Sequence, residues 1–306
     1  MNIECLKKCF SVGLALDSGT AEYESLFRDY GEYIDNLYFS PPLGQHFHGR
    51  SKIADQLEQP MYIERFWEIL HLAQDFQIGL EVVYNTHLLK YDDFIRADEA
   101  FSKNQIKLSK ICIQDAYYDF IRSLYPTTEL VHSVNSMPDK KDMILQTAGA
   151  YSEYVVGRQY TRDTELFHNI VQTGARCVLL LNNGCSHFCG GCSSPEHCQQ
   201  AFERTRSEKH MTEEQIYALQ SIMPFELHEK WIDLKDISLL KLSTRNADAN
   251  YIRLCLDSYI NGIDRELLDK STDYYLLWSR LLWLTKYFKG FDYERIYAFK
   301  KSGVMV

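Results

Sequence analysis

Eight short, continuous apolar runs lie along the chain, and each except the seventh, which a polar, irregular insert follows, leads into a stretch with helical periodicity. The apolar runs cover residues 10–16, 34–39, 78–84, 108–113, 130–134, 154–157, 176–181 and 238–242. The helical stretches cover 21–31, 62–77, 91–102, 115–124, 139–149, 163–173 and 247–260. In the helix over 62–77, Ile63, Phe66, Trp67, Leu70 and Ala73 form one buried stripe at spacings of three and four. Strands buried on both faces read as unbroken apolar runs, because neither face meets water. Eight of them, alternating with helices, is the count of a closed parallel barrel, whereas an open doubly wound sheet has fewer strands. The expected fold is therefore an α/β protein, a (β/α)8 TIM-like barrel over 1–262. A cysteine-rich insert (183–236) follows strand seven, and a C-terminal helical extension (263–306) packs on the barrel.

The insert is where the cysteines concentrate. The chain of 306 residues has nine. Four lie within one run, Cys185, Cys189, Cys192 and Cys198, and this run begins directly after strand seven. Barrels keep their active sites at the C-terminal ends of the strands, which is the end from which this run departs. Cys112, Cys177 and Cys255 sit in apolar surroundings and read as small core residues. Cys5 and Cys9, four apart, read as one face of a short helix, with metal binding as the other reading.

Thiolates at spacings of three, two and five intervening residues can converge on one centre. An iron–sulfur cluster, most simply 4Fe-4S, takes four thiolates and tolerates loose spacing. Zinc also takes four, but structural zinc sites usually separate two knuckles by a longer stretch, which is missing here. Gly184, Gly190 and Gly191 allow a close backbone approach to a cluster. The expected cofactor is thus an iron–sulfur cluster, with zinc as the alternative; His187 and His197 lie inside the run as substitute ligands. The triplet Cys185, Cys189, Cys192 also has the spacing of the radical S-adenosylmethionine motif. That motif follows the first strand of its barrel rather than the seventh, and it favours an aromatic where this chain has Gly191, so it is the weaker reading.

Charge argues against one class of partner without excluding a local basic pocket. With 33 basic and 42 acidic side chains the net charge is −9, so no broad positive face is available for nucleic acid. No run of 18 apolar residues is present and the first residues lack a signal-peptide pattern. The expectation is a cytoplasmic protein with no membrane segment, in which close-set cysteines hold metal rather than disulfides. Around Tyr274 to Phe288, Leu277, Leu281, Leu284 and Phe288 form an apolar face, and this aromatic helix offers a surface for packing on the barrel, a homodimer or a partner protein.

Polar residues at the strand ends supply the remaining candidates. Asn85 and His87 follow strand three, Gln114 and Asp115 strand four, Asn135 strand five, Arg158 strand six and Asn182 strand seven; Lys241 and Arg245 lie on or after strand eight. Arg158, Lys241 and Arg245 are the expected catalytic cations, suited to a carboxylate or phosphate. Lys241 lies among Leu239, Leu240 and Leu242, so burial would require a carboxylate partner. Asn85, Asn135 and Asn182 are the expected substrate contacts. His46 and His48, in the long loop after strand two, read as surface residues or as acid–base groups of a lid.

Three segments resemble the collagenase-like peptidase family of uncertain catalytic type, over about 128–262. His132-Ser-Val-Asn-Ser136 is similar to that family's strand ending in an Asn-Ser turn. Val155-Val-Gly-Arg-Gln-Tyr-Thr-Arg-Asp163 is similar to its strand–Arg–Glu–Leu–Ser helix start. Leu239-Leu-Lys-Leu-Ser-Thr-Arg245 with Asn250-Tyr-Ile-Arg253 is similar to its Lys-Ile-Glu-Gly-Arg segment and following helix. Gln159 stands where the family has Glu, and Ser243-Thr244 where it has Glu-Gly. The resemblance implies a barrel that carries cysteines after a strand. It also implies oxygen-independent hydroxylation, of the kind family members carry out on RNA bases and ubiquinone precursors, or a related redox reaction on a small or nucleotide-like anionic substrate. Peptidase activity is not expected, since no HExxH motif or nucleophile–base pair stands out.

Overall fold

The structure is a computed structural model describing residues 6–44, 56–84, 86, 88–136, 141–157, 160–182, 203, 207, 222, 224–228, 233–242 and 248–261, with Asn135, Phe225 and Glu226 described by backbone alone. Eight parallel strands close into one barrel in sequence order. They are β1 (Phe10–Gly13), β2 (Ile34–Phe39), β3 (Gly79–Val83), β4 (Lys110–Ile113), β5 (Glu129–His132), β6 (Glu153–Val155), β7 (Arg176–Leu180) and β8 (Ile237–Lys241). The described helices are α1 (Thr20–Tyr30), α2 (Pro60–Asp75), α3 (Tyr91–Lys103), α4 (Tyr118–Leu124), α5 (Lys141–Ala148), α6 (Thr164–Gln172), α7 (Pro224–His228) and α8 (Ala249–Asn261). The barrel closes where Phe10 and Ser11 of β1 pair with Leu240 and Lys241 of β8. The expected (β/α)8 architecture is therefore present, while the cysteine run and residues 263–306 lie outside the described residues.

The helices begin where the chain supplies acceptors for their free N–H groups. Glu22 takes the Gly19 N–H at 3.0 Å, Asp93 the Lys90 N–H at 2.8 Å, and Asp163 the Leu166 N–H at 3.0 Å. After α6, Gly174 turns the chain at φ +95, a conformation open to glycine but strained for other residues.

Two apolar layers follow from strand periodicity. Outward-facing residues such as Phe10, Leu37, Leu80, Ile111, Leu130 and Leu179 pack against the helices. Val83, Cys112, Val131, Val155, Val178, Leu180 and Leu239 form a separate, smaller cluster that fills the barrel's interior. Cys112, Cys177 and Cys255 are buried free thiols, as their apolar surroundings imply. Among the described residues no helix is long and apolar enough to cross a membrane.

The first strand is shorter than the apolar run 10–16 suggests. Leu14 N makes a last ladder bond to Tyr38 O at 2.9 Å. Beyond it, Ala15 N donates to the Tyr23 hydroxyl at 2.7 Å, and Arg65 donates to Leu16 O at 2.8 Å. Residues 14–16 are thus apolar because their loop is buried under side chains that satisfy its backbone. Strand five also shifts: it spans Glu129–His132, and Val134 enters a 3-10 turn with Ser136.

Candidate active site at the C-terminal mouth

Buried polar residues occupy alternate inward positions of the strands. Lys241 on β8 donates to Glu81 on β3, Nζ to Oε1 at 2.5 Å. These strands are not neighbours, so the bond crosses the barrel interior. The other Glu81 oxygen accepts from Asn36 Nδ2 at 2.7 Å, and Asn36 in turn donates to Ser11 Oγ at 3.0 Å. Lys241 Nζ also lies 4.3 Å from the centre of the Tyr38 ring, and the Tyr38 hydroxyl donates to Leu242 O at 2.6 Å. Burial pulls the Lys241 ammonium down, but the Glu81 carboxylate outweighs it and leaves the pKa above its usual value. Burial pushes the nearby Cys112 thiol up to about 12, against the opposing pull of the Lys241 charge, so Cys112 is an un-ionised thiol at neutral pH.

Beyond β7, Asn182 is 1% exposed. It donates to the Tyr251 hydroxyl at 3.0 Å and approaches Cys255 Sγ at 3.8 Å. The end of β7 is therefore tied to α8. Beyond β4, Gln114 is buried, and its Nε2 has no hydrogen-bond partner among the described residues. An amide donor without a partner at a strand's C-terminal end is available to an acceptor on a substrate.

A third group lies between the strands and the helices. His132 stacks on Tyr154 with ring centroids 4.1 Å apart, and its Nε2 lies 3.3 Å from Asp115 Oδ2. The Tyr151 hydroxyl donates to Asp115 Oδ1 at 2.7 Å. Burial pushes the Asp115 carboxyl up, but the bonds from His132 and Tyr151 outweigh it and hold it below the usual carboxylate range. A depressed carboxyl pKa contributes stability that is complete above the unfolded value of about 3.9 and is lost as pH falls through the folded value. Asp115→Asn is therefore expected to lower the thermal midpoint by a constant amount above about pH 5, with the difference from wild type shrinking below about pH 4. A pH series of melting curves on both proteins checks this; a difference that persists unchanged at low pH would mean Asp115 acts through packing alone.

Of the residues chosen from sequence, Gln114, Asp115, Asn182 and Lys241 are described, and Asn182 and Lys241 are not in each other's bonds. Of the two readings open for Lys241, the structure has the carboxylate partner: its charge is matched by Glu81. Asn135 lies in the 3-10 turn Val134–Ser136. Asn85, His87, Arg158, Arg245, His46, His48, Cys5, Cys185, Cys189, Cys192 and Cys198 lie outside the described residues. Among the described residues, no group of three or more His, Cys, Asp or Glu is placed to hold a metal. Glu81 and Asn36 were missed by sequence reasoning. The available signal was a single charged or amide residue inside an otherwise apolar strand, as in Leu80-Glu81-Val82.

No family model matches the chain and no curated protein matches it. Among solved structures, it is similar to the U32 peptidase Mk0906, of the collagenase-like family, with a TM-score of 0.48 and 9% identity over 79% of this chain and 95% of that one. It is similar to tryptophan synthase, solved as the α2β2 complex from Pyrococcus furiosus (TM-score 0.42, 7% identity, 83% and 98% covered). It is also similar to an HpcH/HpaI aldolase from Desulfitobacterium hafniense DCB-2 (TM-score 0.41, 7% identity, 89% and 96% covered). At these identities the likeness is one of fold.

Proposed function

We propose that this chain is an iron–sulfur barrel enzyme whose cluster is held by Cys185, Cys189, Cys192 and Cys198. Its reaction is an oxygen-independent hydroxylation or related redox modification of a small or nucleotide-like anionic substrate. The observation that carries the reading is connectivity. β7 ends at Leu180 and Asn182 is buried beside Tyr251 at the C-terminal mouth. Cys185 is three residues further on, an extended span of at most about 11 Å. The donor set also fits: four thiols in one run suit an iron–sulfur cluster, and the four described cysteines elsewhere are free thiols rather than disulfides, in keeping with a reducing, cytoplasmic setting. When bound, such a cluster supplies one-electron transfer at the mouth.

The chain's own residues supply the rest. Arg158 and Arg245, after β6 and β8, are the cations for the substrate's anionic group. Lys241 is already neutralised by Glu81, and Asn182 and Gln114 supply amide groups. Asn85 and Asn135 are further contacts for the substrate. The C-terminal aromatic helix is the surface for a homodimer or partner protein.

Anaerobic purification with metal analysis tests the reading. A brown protein containing iron and sulfide is expected, and Cys189→Ala is expected to lose the colour and most of the iron. A colourless protein with one zinc per chain overturns the cluster and leaves the four cysteines as a structural metal loop in a binding module. Reductive cleavage of S-adenosylmethionine by the brown protein would assign the cluster to radical chemistry instead.

A further inference from the structure

The opposite mouth of the barrel, at the N-terminal ends of the strands, holds a cavity of about 480 Å³ whose walls include Lys8, Asp35, Lys110, Glu129, Glu153 and Arg176. Its lysine and serine donors are largely committed to the protein. Lys8 Nζ donates to the carbonyls of Gly31 at 3.1 Å, Ile34 at 3.0 Å and Gln77 at 3.4 Å, which occupies its three protons. The Ser109 and Ser238 hydroxyls donate to Leu80 O and Cys177 O, each at 3.0 Å. Lys110 donates to Asp35 Oδ2 at 2.6 Å and to Glu153 Oε1 at 2.7 Å. Arg176 bonds to Glu129 and lies 3.0 Å from the same Glu153 Oε1.

The acceptors are not committed to the same extent. Glu153 is 2% exposed, and its Oε2 has no hydrogen-bond partner among the described residues. One Glu153 oxygen thus faces both cations while the other, equally buried, faces none. The bonds above also use only one oxygen each of Asp35 and Glu129. A buried carboxylate oxygen without a donor is costly, so the demand left in this cavity is for N–H or O–H donors. A phosphate or carboxylate ligand would lie against the carboxylates of Asp35, Glu129 and Glu153 and could not donate to the Glu153 oxygen.

We propose that the N-terminal cavity binds a small organic cation with N–H donors, a primary ammonium or a guanidinium, with Glu153 Oε2 as its buried acceptor and Asp35 and Glu129 at the rim. The site is independent of the cysteine run and of the chemistry proposed at the other mouth. Titrating putrescine into the full chain by calorimetry at constant ionic strength, with sodium phosphate as comparator, tests it. Saturable one-to-one binding of putrescine and none of phosphate is expected. Glu153→Gln keeps an acceptor for Lys110 but removes the charge facing the ligand, and is expected to weaken binding about tenfold or more, the scale of one charge-assisted hydrogen bond. Should that variant fail to fold, Asp35→Asn, whose side chain is 31% exposed, gives a smaller loss in the same direction. Failure of the wild-type chain to saturate with putrescine, preferential binding of phosphate, or unchanged affinity in the folded variants overturns the proposal and leaves the cavity to water.

Discussion

Glu81→Ala is expected to destabilise the barrel by about 3–5 kcal/mol, the cost of removing one partner from a buried ion pair. Glu81 is 1% exposed. Its carboxylate is the acceptor for both Lys241 Nζ at 2.5 Å and Asn36 Nδ2 at 2.7 Å. Without it, an ammonium is left inside the barrel with no other carboxylate bonded to it among the described residues, and among them Asn36 keeps Ser11. Removing both charges has the opposite character. Glu81→Leu with Lys241→Met leaves apolar groups of similar volume beside Val83, Cys112 and Leu239, and is expected to recover most of the loss, since such replacements are often neutral or stabilising. Denaturant midpoints of the single and double variants measure the coupling. A single-variant loss below about 1 kcal/mol would mean water reaches the pair and screens it as it screens surface pairs. The same experiment bears on function: a pair that can be replaced without loss of activity is scaffold, whereas a double variant that is stable and inactive assigns Lys241 to the reaction.

The second large effect lies in the outer layer. Phe94 on α3 is fully buried and stands at the centre of an aromatic group, with ring centroids 4.7 Å from Tyr84, 5.0 Å from Tyr117 and 5.9 Å from Phe120. The Tyr117 hydroxyl donates to Leu89 O at 3.3 Å, which ties the start of α3 to the chain after β4. Phe94→Ala is expected to cost about 3–5 kcal/mol, combining lost transfer free energy with a cavity that three rigid rings cannot fill. Phe94→Leu should recover a large part of this, because most of the volume returns. Unfolding midpoints for the two variants check the order. If Ala and Leu cost the same, the loss comes from the ring contacts rather than from the cavity.

The eight strands were legible because burial on both faces leaves an apolar run whatever the neighbours are. Where that rule misled, another form of burial was responsible. Leu14 to Leu16 are apolar because a loop lies under Tyr23 and Arg65, so the first strand reads too long. At the fifth strand, Glu129 pairs with Lys110 in register and with Arg176 by charge, so a residue that reads as loop begins the strand. The core thiols were legible for the same reason as the strands: Cys112, Cys177 and Cys255 sit among aliphatic neighbours and are buried.

The sequence alone determined the alternation of elements, hence the barrel, and the position of four close cysteines just past the seventh strand. Tertiary structure alone decided which charges meet. Strand periodicity says that Glu81 and Lys241 share a face with their apolar neighbours, but these two residues are 160 positions apart on strands that do not touch. Their contact depends on closure of the sheet and on the stagger between strands, which set the height of each inward side chain. Closure likewise brings Lys110, Glu153 and Arg176 together at one mouth and leaves a single buried carboxylate oxygen there without a donor.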